Sequence, residues 1–89
     1  MTYKILFDKK VVKDLKKIPQ KDRERIVGFI EKNLSHDPYI GKKLAGDLSD
    51  FYRYRLGKYR IVYTIEEDEI LVEVVRVGHR KEIYEKLKR

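Results

Sequence analysis

The apolar positions change period several times along the chain. Tyr3, Ile5 and Phe7 alternate with Thr2, Lys4 and Leu6, which predicts a short strand. Asp8 is placed to cap a helix, and Val11, Val12, Leu15 and Ile18 then recur at helical spacing among lysines. Pro19 closes that helix and is suited to open the next, because the first helical turn does not need its N–H. Ile26, Phe29, Ile30 and Leu34 repeat three and four apart, predicting a second helix over about residues 20–34. Ser35 to Pro38 stops it. Two helices joined at so tight a break form a hairpin with one shared apolar face.

Residues 36–50 (HDPYIGKKLAGDLSD) lose the periodicity and read as a loop, punctuated by Pro38, Gly41 and Gly46. Loops this long in small domains are often functional. Strand chemistry returns in Phe51–Leu56, Tyr59–Ile65 and Ile70–Val77, separated by tight turns at Gly57-Lys58 and Glu67-Asp68. Two such turns imply an antiparallel meander. Lys81 to Arg89, with Ile83, Tyr84 and Leu87 apolar, reads as a short helix. The expectation is one α+β domain over residues 1–89: an N-terminal strand and α-helical hairpin packed on a twisted antiparallel sheet, with a short C-terminal helix. Helices on one face leave the other sheet face at least partly open.

Composition narrows the chemistry. Cysteine is absent, which removes disulfides, thiolate nucleophiles and zinc–thiolate sites, and two histidines are too few for most metal centres. No metal and no cofactor are expected. No apolar run is long enough for a membrane span, and the start lacks a signal-peptide pattern, so a cytoplasmic protein is expected. The net charge of +7 points to a polyanionic partner.

The charge is unevenly spread. Phe51 to Ile65 holds four basic residues, Arg53, Arg55, Lys58 and Arg60, and no acid. Arg53 and Arg55 are two apart and share a strand face. Arg60 follows across the turn, and Arg76 and Arg80 come on and after the last strand. Such a face is either a solvated sheet surface or an anion site. The use of arginine here, against lysine in the helices, favours the second, since a guanidinium matches phosphate geometry. Tyr52, Tyr54, Tyr59 and Tyr63 interleave with the cations. Basic and aromatic residues together suit RNA, although alternation sends part of these tyrosines to the core without saying which.

The stretch KKLAGDLSDFYRYRLGKYRIVY (Lys42 to Tyr63) resembles the central signature of the RelE/ParE superfamily of toxin–antitoxin toxins. VGHRKEIYEKL (Val77 to Leu87) resembles its C-terminal signature, and YKILFDKKVVKDLKKIP its first strand and helix. The resemblance implies the compact microbial RNase-like fold. It also implies a cognate, RelB-like antitoxin and one of two activities. RelE-type members cut messenger RNA in the ribosomal A site, and ParE-type members poison DNA gyrase. The RelE-type basic set falls here on Arg53, Arg55, Arg60 and Arg80, and the base-stacking tyrosine on Tyr84. With all four basic positions filled, the resemblance sides with a metal-independent mRNA endonuclease. A gyrase poison and a non-catalytic RNA-binding module are the alternatives.

In such a reaction the 2′-hydroxyl attacks its own phosphate in line, and preorganised cations stabilise the phosphorane. Arg60 and Arg80 are expected to hold that charge, and Arg53 and Arg55 to position neighbouring phosphates and the leaving group. The paired positions are usually lysine in the family. Arginine remains protonated and is no ordinary base, so either the reaction relies on electrostatics and orientation or another group moves the proton, and His79 is the candidate for that transfer. Lys9, Lys10, Lys13, Lys16 and Lys17 form either a ribosomal-RNA docking surface or an ordinary solvated face. His36, beside Pro38 at a helix end, reads as structural or solvated.

Overall fold

A computed structural model describes residues 2–79, together with Ile83 and Leu87. The expected Lys81–Arg89 helix, Arg80 and Tyr84 therefore lie outside the described residues. Strand β1 (Lys4–Phe7) leads into helix α1 (Lys9–Lys16), and Asp8 caps it by accepting a hydrogen bond from the Lys10 N–H at 2.9 Å. Pro19 stands at the cap of α2 (Gln20–Phe29), and the helix continues through a π-helical turn at Ile30–Leu34. Residues 36–50 are more ordered than a plain loop. They hold 3₁₀ turns at Pro38–Ile40 and Gly46–Leu48 and a two-residue strand, β2 (Lys42–Lys43). The hairpin strands are β3 (Tyr52–Leu56) and β4 (Tyr59–Glu66), followed by β5 (Leu71–His79).

The five strands form one sheet in the order β1-β5-β4-β3-β2. β2 to β5 pair antiparallel, as expected of a meander, whereas β1 runs parallel to β5 and makes the sheet mixed. The meander places β5 in the interior of the sheet, with one edge left for the N-terminal strand. At the first hairpin Gly57 has φ 62°, in the region that favours glycine at the first central position of a two-residue turn. The second turn is a 3₁₀ turn (Glu67–Glu69) ending on Ile70 at φ 50°.

Val11, Ile18, Ile26, Ile30 and Leu34 from the helices pack against Tyr59, Ile61, Tyr63, Val72, Val74 and Val77 of the sheet. Tyr52 and Tyr54 join this layer, Tyr52 stacked on Tyr63 and Tyr54 on Phe29 at centroid distances of 5.8 and 4.5 Å. All four central tyrosines thus serve the helix side of the sheet. None of them interleaves with the arginines, because strand alternation puts odd and even positions of β3 on opposite faces.

A bulge rephases β5. Val62 pairs with Arg76 and Tyr63 with Val74, which leaves Val75 as the extra residue. The inward positions therefore run Val72, Val74 and then Val77, all buried. Beyond Val74, β1 has ended, and α1 takes over its place beside β5. Asp14, on the buried stripe of α1 between Val11 and Ile18, accepts the Val77 N–H at 3.0 Å and the Arg76 guanidinium at 2.7 Å.

Candidate functional site

On the sheet face away from the helices, register lines up two adjacent rows. One runs Lys42, Arg53, Val62, Arg76 across β2 to β5. The other runs Arg55, Arg60, Gly78 across β3 to β5. Arg55 and Arg60 are directly opposed, roughly 5 Å apart at Cβ, and Arg53 lies in the adjacent row of the same face, so register joins Arg60 to the Arg53 and Arg55 pair. Arg55 is exposed, and Arg53 and Arg60 are half-buried. Among the described residues no carboxylate pairs with Arg53 or Arg55. Arg76 is different. It belongs to the row by register, but its guanidinium is engaged by Asp14 at 2.7 Å, which removes it from the set of cations available to a ligand. Lys42 joins the face through the short strand β2, a contribution that periodicity could not reveal because two residues carry no period.

His79 ends β5 directly opposite Tyr59, and their rings stack at 5.0 Å with an interplanar angle of 18°. Tyr59 is 3% exposed and donates its hydroxyl to Asp22 of α2 at 2.9 Å, so it is fixed at both ring and tip. Burial, and then the bond to Asp22, raise the pKa of the Tyr59 phenol above its ordinary value. The Lys58 ammonium lies over the same ring, 5.7 Å from its centroid. Arg55, Lys58, Arg60 and His79 together line an open pocket of about 440 Å³, a volume in the range of small-molecule sites. Gly78 stands opposite Arg60 in register, and a Cβ there would meet nothing within 4 Å, so the row is open at this position.

A second cavity of about 390 Å³ lies between the end of α1 and the β4–β5 edge, lined by Asp14, Ile18, Val77, His79 and Ile83 among others. Its lining is more apolar, and among the described residues its ion pair, Asp14 with Arg76, is already closed. Lys9, Lys10, Lys13 and Lys16 of α1 and Lys17 at its C-terminal cap are all exposed, on the helix side of the sheet. They are therefore separate from the arginine rows. His36 is exposed at the end of the π-helical turn. Its backbone N–H bonds to the Asn33 carbonyl at 3.2 Å, in keeping with a structural or solvated role.

The family model for the ParE toxin of type II toxin–antitoxin systems covers residues 5–84. The chain belongs to this toxin family. Curated relatives carry RelE and RelG names. Toxin RelE3 of Methanocaldococcus jannaschii is 40% identical over 92% of this chain and 96% of its own length. The mRNA interferase toxin RelE of Escherichia coli is 31% identical over 94% of this chain and 92% of its own. Among solved structures, the toxin–antitoxin complex RelBE2 of Mycobacterium tuberculosis contains a chain that superposes with a TM-score of 0.86 at 32% identity. That match covers 90% of this toxin and all of the other chain.

Proposed function

We propose that this toxin is a ribosome-dependent endoribonuclease that cuts messenger RNA in the A site and is restrained by a cognate RelB-like antitoxin. The observation that carries the reading is the convergence of Arg53, Arg55 and Arg60 in adjacent sheet rows with His79 at the same pocket. The RelE relative that is an mRNA interferase and the RelBE2 complex support it. Arg60, with Arg80 immediately after β5 in sequence, stabilises the phosphorane. Arg53 and Arg55 hold flanking phosphates, and Tyr84 stacks on a base. His79 accepts the 2′-hydroxyl proton as the O2′–P bond forms and the P–O5′ bond breaks. Fixed cations of this kind are each worth about 10²- to 10³-fold in rate. The ribosome supplies the RNA geometry, itself a large rate term, with Lys9, Lys10, Lys13, Lys16 and Lys17 on ribosomal RNA. Ribosomes place this activity in the cytoplasm.

The test adds purified toxin to ribosomes paused on a defined message and maps 5′ ends. New ends at the A-site codon that vanish with Arg60→Ala are expected. Intact messages, together with loss of gyrase supercoiling that survives Arg60→Ala, would replace the reading with a gyrase poison.

A further inference from the structure

We infer that Lys58 is a catalytic residue of this toxin, the acid that protonates the departing 5′-oxygen; the inference rests on the nuclease reading above. Once His79 takes the 2′-hydroxyl proton, the 5′-alkoxide needs a proton from a second group. Guanidiniums cannot give one at ordinary pH, and the pocket is otherwise lined by Arg55 and Arg60. Among the described residues that line the pocket Lys58 is the one left, and an ammonium is able to release a proton.

Its placement suits the task. Lys58 is the second residue of the β3–β4 turn, next to Gly57 at φ 62°, and is exposed to incoming substrate. The Tyr59 ring, clamped by Asp22, carries both the His79 imidazole and the Lys58 ammonium against it. One rigid ring thus holds the two groups able to exchange protons at the mouth of a pocket that Arg55 and Arg60 also line. The step balances. The O2′–P bond forms, the P–O5′ bond breaks, one proton passes to His79, and one leaves Lys58 for O5′. The products are a 2′,3′-cyclic phosphate and a 5′-hydroxyl.

The experiment uses full-length toxin and programmed ribosomes carrying either ordinary message or message with a single 5′-bridging phosphorothiolate at the scissile position. A thiolate leaves without protonation. Lys58→Ala is expected to slow cleavage of the ordinary message by about 10²-fold or more and to cleave the phosphorothiolate at nearly the wild-type rate. Lys58→Arg, which keeps the charge, should be as slow as Lys58→Ala on ordinary message. Wild-type cleavage by Lys58→Ala or Lys58→Arg, or equal slowing on both messages, overturns the role. If the wild-type toxin cuts neither message, the nuclease reading itself fails.

Discussion

Arg55 and Arg60 stand directly opposite each other on β3 and β4. Like charges so placed weaken a sheet by roughly 0.2–1 kcal/mol, and the core on the other face does not require them. Side by side, these two like charges oppose the strand pairing, and an anion bound between them would relieve that opposition. Arg55→Thr is therefore expected to raise stability in urea by about 0.5 kcal/mol while lowering message cleavage. Wild-type toxin should gain more in melting temperature from added polyphosphate than this variant does, because binding to the folded state adds to stability. A variant that melts earlier and gains equally from polyphosphate would show that the pair is neutral.

Asp14 replaces a missing strand. It satisfies the Val77 N–H where β1 has ended and holds Arg76, with both side chains largely buried. Asp14→Ala leaves a buried amide and a buried guanidinium without this acceptor and is expected to cost about 3 kcal/mol. Replacing both partners, Asp14→Leu with Arg76→Met, should recover at least half of that loss, since no charge is then left stranded. Cleavage per folded molecule should be unchanged in Arg76→Met. Urea melts and ribosome cleavage on the same samples check both statements.

Gly78 faces Arg60 and leaves the space above it open. Gly78→Val adds a β-branched side chain that a strand accepts readily. It is expected to fold with wild-type stability yet block access of the scissile phosphate, lowering cleavage by at least about tenfold through lost near-attack geometry. Unchanged activity in a folded variant would move the substrate off this row.

Much of this was legible in the residues themselves. Asp8, Pro19 and the Gly57-Lys58 turn mark element ends by local chemistry, and each does so in the structure. The shared face of Arg53 and Arg55 follows from strand period alone. What the period hides is whatever interrupts it. The bulge at Val75 shifts the inward phase of β5, so alternation assigns Arg76 and His79 wrongly beyond it. β2 is too short to show a pattern, which concealed Lys42. The destination of the tyrosines depends on which face the helices cover, a tertiary fact. One overlooked signal was local: Asp14 sits at a core-facing helical position between Val11 and Ile18, and a polar residue there announces a specific buried partner.

Alkaline pH should unfold the toxin through its tyrosines. The hydrogen bond to Glu67, then loss of hydration and the Glu67 charge, push the Tyr39 phenol up to about 12. Burial raises Tyr63 further, against the pull of the Gly41 backbone, and Tyr59 moves the same way. A phenol whose folded pKa is raised binds its proton more tightly in the native state. Its contribution is complete below the unfolded value near 10 and is lost as pH rises through the folded one. Urea midpoints should therefore fall between about pH 10 and 12. Tyr39→Phe should fall less steeply over that window, and an identical slope would exclude Tyr39 as a contributor.

Gly41 leads directly into β2, where Lys42 joins the cationic face. Its φ of −79° is open to any residue, so the constraint is space and not backbone strain. A Cβ at this position would collide with the Tyr63 hydroxyl and lie 2.8 Å from the Arg53 carbonyl oxygen. Tyr63 is fully buried and its hydroxyl donates to the Pro38 carbonyl at 2.6 Å, so it has little room to yield. Gly41→Ala is expected to cost about 2 kcal/mol, as overpacked cores do. Tyr63→Phe alone should cost about 1 kcal/mol by leaving Pro38 without its donor. The double variant should lose less than the sum, because removing the hydroxyl clears the methyl group's place. Additive losses in urea melts would mean that the collision is relieved elsewhere, with Arg53 displaced, and cleavage would then fall in Gly41→Ala without recovery in the double variant.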